Sequence, residues 1–102
     1  MGAALFGMKT ILVYCASVRL FETYCTTLPD GKLNRLNLSF TNKDAKYVCV
    51  TPDNYYHKVR GYPIDTEVLV TCSCIYVPRD ITNRFKNISR IKQCCTSELK
   101  SY

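Results

Sequence analysis

The stretch that most constrains this chain runs Thr66-Glu67-Val68-Leu69-Val70-Thr71-Cys72-Ser73-Cys74-Ile75-Tyr76-Val77. It carries a single charge, is rich in β-branched and aromatic residues, and is bracketed by Pro63 and Pro78. That composition and punctuation predict a long strand. Side chains alternate along a strand, so Cys72 and Cys74 share a face with Val68, Val70 and Tyr76. Two thiols on one buried face can tie a central strand to two other parts of the chain. The stretch is therefore the expected hub of a small disulfide-held domain.

Cysteine usage fits that expectation. Seven cysteines in 102 residues is well above ordinary usage, and a chain this short forms one domain. The net charge of +6, with eight tyrosines and no tryptophan, predicts a basic surface. Such a surface would meet sulfated glycans, an acidic receptor segment, nucleic acid or anionic lipid.

Residues 1–17 read as a secretory signal: a basic element at Lys9, an apolar run from Thr10 to Ala16, and small residues at Cys15 and Ser17. Cleavage after Ser17 would leave residues 18–102 as a single disulfide-stabilised domain. The competing reading of the same segment is a buried N-terminal strand or helix, and its apolar run is too short to span a bilayer. Cleavage discards Cys15 and leaves Cys25, Cys49, Cys72, Cys74, Cys94 and Cys95, an even set suited to three disulfides. Sequons at Asn37-Leu38-Ser39 and Asn87-Ile88-Ser89 make Asn37 and Asn87 candidate glycosylation sites. Signal, parity and sequons together predict a secreted glycoprotein.

Along the chain, Val18 to Leu28 is short and mixed, and Pro29-Asp30-Gly31-Lys32 is a turn signal. Residues 33–41 alternate, with Leu36, Leu38 and Phe40 on a buried face and Asn37 toward solvent. Asn42-Lys43-Asp44 reads as a turn. Ala45 to Thr51 reads as a second strand, with Tyr47 and Cys49 on one face and Val48 and Val50 on the other. Tyr55 to Arg60 fits either a short strand or one helical turn. Pro78-Arg79-Asp80 reads as a helix start with Asp80 as N-cap, followed by an apolar stripe of Ile81, Phe85, Ile88, Ile91 and Cys95. The fold class expected is α+β: a small disulfide-rich domain with a roughly three-stranded antiparallel sheet followed by a C-terminal amphipathic helix.

Chemistry-bearing constellations are few. His57 is the lone histidine, the eight acidic residues are scattered, and no glycine-rich phosphate loop occurs, so neither an enzyme nor a cofactor is expected. Cys49, Cys72, Cys74, Cys94, Cys95 and His57 could supply zinc ligands, but their pairs have one intervening residue or none, where zinc knuckles use two to four. No metal site is expected. From Arg79 to Lys100 there are six basic and two acidic residues, and a helix carrying Arg84, Lys86 and Arg90 offers a polyanion-binding face. A merely solvated helix face is the competing reading. Few aromatics interleave with these charges, so nucleic acid is not an expected partner.

Cys25, Cys49, a last-strand Cys72 or Cys74, then Pro78 and a helix bearing Phe85, together resemble the chemokines in order and spacing. The resemblance covers roughly residues 24–95 and implies a pairing of Cys25 with Cys49, a mobile contact segment before Cys25, and receptor binding with glycosaminoglycan as accessory ligand. The sequence departs from that family in having one N-terminal cysteine and in Cys94-Cys95. Val70-Thr71-Cys72-Ser73-Cys74 also resembles the strand end of cystine-knot growth factors. The expectation is a secreted, basic, cytokine-like binding protein acting on an extracellular receptor or secreted protein, without stable membrane insertion. The alternatives are a secreted effector (an antimicrobial, toxin or protease-inhibitor module) and, third, an intracellular zinc-binding protein.

Overall fold

The computed structural model describes residues 9–72 and 75–91. Strand β1 (Lys9–Tyr14) leads into helix α1 (Val18–Cys25), and an antiparallel hairpin follows, β2 (Gly31–Asn34) and β3 (Ser39–Asn42). Strand β4 (Ala45–Val50), a single turn of helix α2 (Tyr55–Lys58), strand β5 (Glu67–Val70), helix α3 (Arg79–Arg84) and strand β6 (Asn87–Arg90) complete the described order. The strands form one six-stranded sheet in the order β2-β3-β4-β1-β5-β6. Strand β1 runs parallel to both β4 and β5, and β5 parallel to β6. The β2-β3-β4 half is antiparallel.

This architecture corrects the expected fold class. The sheet is mixed and centred on β1, with helices on both faces, rather than three antiparallel strands capped by a C-terminal helix. Residues 9–17, expected in a cleaved signal, build the central strand and the cap of α1. Leu12, Val13, Tyr14 and Cys15 are essentially inaccessible. Cleavage after Ser17 would remove the strand that joins the two halves of the sheet. The competing reading of that segment, a buried strand, is the one present.

Alternation along the pleat explains the two cores. Leu12 and Tyr14 of β1, Val48 and Val50 of β4, and Val68 and Val70 of β5 face one side, with Val59, Ile81 and Phe85 packed over them. Val13 and Cys15, with Ala45, Tyr47 and Cys49, face the other side beneath Phe21 and Cys25 of α1. The chain steps from β1 to β4 by way of α1, then reverses through α2 and α3 to reach β5 and β6. Right-handed crossovers running in opposite directions put their helices on opposite faces, and the helices of this fold are distributed that way.

Several local expectations change with the fold. The strand expected over 33–41 is two strands joined by a turn in which Asn34 Oδ1 accepts from the N–H groups of Leu36 and Asn37, at 2.9 and 3.3 Å. Leu38 there has a φ of 53°, and Leu36 is 99% exposed rather than buried. The long strand expected over 66–77 is confined to Glu67–Val70. The expected helix stops at Arg84, because Phe85 is extended (φ −113°, ψ 142°) and Asn87–Arg90 pairs with β5. Asn, Ile and Ser are weak helix formers, and pairing with a buried parallel strand outweighs them. Pro78 is the N-cap of α3, and Asp80 lies in its first turn.

The expected disulfide framework is also corrected. Cys15, Cys25 and Cys49 are buried free thiols, and Cys72 is buried as well. Cys15, Cys25 and Cys49 serve as small apolar residues between α1 and the sheet, a common use of unpaired cysteine. Cys74, Cys94 and Cys95 lie outside the described residues. Neither a secretory signal, nor glycosylation, nor cytokine character gains support from this architecture.

Candidate functional site

In open sheets built from parallel strands, ligands usually bind beyond the strand C-termini where the strand order reverses. Here that place lies above β1, between β4 and β5. Its polar groups are spent on one another. Ser17 Oγ accepts from the Leu20 N–H at 3.3 Å to cap α1. Asn54 Oδ1 accepts from the Thr51 N–H at 2.8 Å. The N–H and hydroxyl of Thr71 both donate to the Tyr14 carbonyl, and the Cys15 N–H donates to the Val50 carbonyl. Ser17 and Asn54 close local turns, while Thr71 and Cys15 fasten β1 to its neighbours.

The thiols beside it are poor nucleophiles. Burial pushes the Cys15 thiol up to about 12, with Cys49 and Cys25 adding to the rise and a hydrogen bond to Thr71 opposing it. Burial likewise raises Cys25 to about 12 and Cys49 to about 11. Thiols held protonated do not attack or ligate metal readily. Among the described residues, no group of three or more His, Cys, Asp or Glu side chains is placed to hold a metal ion. No helix among them is long and apolar enough to cross a membrane.

The polyanion-binding residues expected on one helix face are dispersed. Lys86 lines a groove with Asp65 and Glu67 at the start of β5 and β6. Arg90 reaches from the end of β6 to donate to the carbonyls of Cys72 and Ile75, at 3.1 and 2.9 Å. Arg84 lines a cleft between two helices. The two sequon residues also separate. Asn37 lies in the β2–β3 turn, where its Oδ1 accepts from the Ser39 hydroxyl, while Asn87 Nδ2 donates to the Asp65 carbonyl.

The cleft lies between α2 and α3 and has a volume of about 460 Å³. From the α2 side come Tyr55, Tyr56, Val59 and Arg60; from α3 come Asp80, Asn83 and Arg84. The two walls are fixed from beneath. Val59 is buried in the core, and Tyr55 packs against the same cluster. On α3, Ile81 and Phe85 are spaced by four residues and seat the helix on the sheet. Asp80, Asn83 and Arg84 are left on the exposed side.

Aromatic and charged groups meet there. Tyr56 is 56% exposed, and the Arg60 guanidinium lies 5.2 Å from its ring centroid, within cation–π range. His57 meets the same ring edge-on at 5.7 Å. Arg84 and Asp80 are four residues apart on α3, yet neither side chain has a hydrogen bond or ion pair among the described residues.

Sequence reasoning found Arg84 but missed Tyr55, Tyr56, Arg60 and Asn83, and took Asp80 for a cap. The available signal was Tyr56 four residues before Arg60, in the segment that fitted either a strand or a helical turn. Comparison with protein-family models, with curated proteins and with solved structures finds no match to this chain, so fold and cleft are read from its own residues.

Proposed function

We propose that this chain is a non-catalytic binding module that takes a phosphate- or sulfate-bearing chain in the cleft between α2 and α3. The observation that carries this reading is the convergence of Arg60 and Arg84, from two separate elements, on one cleft, with no carboxylate pairing either guanidinium among the described residues. Guanidinium groups present forked donors that match phosphate and sulfate oxygens. A net charge of +6 adds long-range attraction. The lining contains no Cys, Ser or His, and its one carboxylate has no second carboxylate or histidine beside it in the cleft to act as a base, which favours binding over catalysis. The receptor-directed, cytokine-like reading depended on a disulfide-held antiparallel sheet, whereas the polyanion part of that reading draws support from Arg84.

The test is a salt series of binding isotherms with a heparin oligosaccharide, polyphosphate and a single-stranded oligonucleotide. Affinity for at least one is expected to fall linearly with salt on logarithmic axes. Arg60→Gln and Arg84→Gln should each flatten that slope by about one unit. Absence of binding to all three at low salt, or an unchanged slope in the double variant, overturns the proposal.

A further inference from the structure

Resting on that reading, we infer that the cleft's ligand is single-stranded nucleic acid, with a base stacked on Tyr56, phosphates on Arg60 and Arg84, and base N–H donors on Asp80. Two features of the cleft go beyond charge. The first is the aromatic surface. Tyr56 is 56% exposed at the cleft wall, with Arg60 set against the ring. A sulfated sugar has no π face to stack there, whereas every nucleobase does. Aromatic side chains beside cations are how proteins hold single strands without needing a particular sequence. A duplex keeps its bases stacked internally and cannot offer one to Tyr56.

The second feature is Asp80. Its carboxylate lies in a cleft with two guanidiniums and yet pairs with neither. Toward a uniform polyanion this carboxylate is purely repulsive. Toward a nucleobase it is an acceptor with two oxygens, matched to amino and imino N–H groups. Guanine presents two such donors side by side on its pairing edge, adenine and cytosine one amino group, and uracil one imino group. Carboxylates read base amino groups in this way. Asn83, three residues on and lining the same cleft, adds both a donor and an acceptor. The charge pattern, adverse for a sulfated glycan, is complementary to a strand whose phosphates and base edges alternate.

Paired substitutions test this on the full chain. Fluorescence anisotropy would compare a mixed-sequence single-stranded RNA, the same sequence as a duplex, and a heparin fragment of equal charge. The single strand is expected to bind tightest. Tyr56→Ala should weaken the single strand about tenfold and heparin by less than twofold, while Tyr56→Phe keeps wild-type affinity. Asp80→Asn should act in opposite directions, weakening the guanine-containing strand and strengthening heparin. A merely structural role for either residue would move both ligands alike. Both side chains are exposed, and unchanged thermal unfolding of each variant would confirm an intact fold. Heparin or duplex binding as tightly as the single strand, or Asp80→Asn strengthening all three, overturns this inference and leaves the polyanion reading standing. Failure of every polyanion to bind overturns both.

Discussion

Thr71 closes over the end of β1: its backbone N–H and its hydroxyl both donate to the carbonyl oxygen of Tyr14, at 3.1 and 3.2 Å. The contact joins the ends of β1 and β5 at the place where the strand order reverses, and spends both Thr71 donors on fastening them. Thr71→Val keeps the shape and the backbone bond but loses the hydroxyl bond. The expected cost is about 0.5–1.5 kcal/mol, read as a lower urea midpoint with an unchanged m-value. Thr71→Ser should recover most of it. Because the cleft lies elsewhere, polyanion affinity should not move.

The buried thiols contribute to the protein's behaviour in alkali, in the same direction as Tyr14 and Tyr24, whose hydroxyls burial also pushes up. Cys15 and Cys25 are raised to about 12 and Cys49 to about 11, mainly by burial, from an ordinary value of 9.0. Below the ordinary value both folded and unfolded chains hold these protons, and pH has no leverage through them. Above it the unfolded chain releases protons that the folded chain keeps, so stability falls as pH rises toward about 12. The loss approaches ~1.4 kcal/mol per pH unit for each thiol involved. Thermal unfolding followed across that range should show a steep alkaline decline. In parallel, a thiol reagent at neutral pH should leave Cys15, Cys25 and Cys49 unmodified until denaturant is added. Rapid modification of any of the three in the folded protein would contradict their burial.

Gly31 occupies a close approach between β2 and β3. A Cβ there would collide with the Thr41 carbonyl oxygen and lie 2.8 Å from both Asn42 Cβ and Phe40 Cζ. Two of these three obstacles belong to backbone or near-backbone atoms of the paired strand, which has little room to yield. Gly31→Ala should therefore destabilise the protein by about 1–3 kcal/mol, measurable by calorimetry. The sequence marks Gly31 only as a turn residue. Its role as the first residue of a paired strand depends on Asn42 opposite, and no local pattern reports that.

What was legible followed from local periodicity. The two faces of β4, with Tyr47 and Cys49 opposed to Val48 and Val50, were readable from alternation. So was the short helical option at Tyr55. The failures arose where long-range pairing overrode local pattern. Ile81, Phe85 and Ile88 recur at helical spacing, yet the first two seat α3 and the third sits on β6. Leu36, Leu38 and Phe40 alternate as a strand, yet the Asn34 side chain turns the chain there. Cysteine parity pointed to disulfides, while the packing uses three thiols as filler beneath α1. The cleft was hidden for a related reason. Tyr56 and Arg84 come to line one cleft only because β4–α2–β5 and β5–α3–β6 lay their helices over the same face of the sheet.

Arg90 and Arg84, both expected on one polyanion-binding face, should respond oppositely to substitution. The Arg90 guanidinium is committed to the chain itself, since its Nη1 donates to the carbonyls of Cys72 and Ile75. It thereby ties the end of β6 to the connection leaving β5. Hydrogen bonds from a charged donor are worth about 1.5–3 kcal/mol each when partly buried, and the exposure of Arg90 places the expected loss near the lower end. Arg90→Ala should lower the denaturation midpoint and speed amide exchange at Ile75 and Ile91, while leaving polyanion affinity within about twofold, the loss of one remote charge being largely screened by salt. Arg84→Ala should do the reverse, weakening polyanion binding with little change in stability, because its side chain holds no partner among the described residues. If Arg90→Ala weakened binding as much as Arg84→Ala while stability stayed unchanged, the basic surface would act as one diffuse patch, and the α2–α3 cleft would lose its claim to be the site.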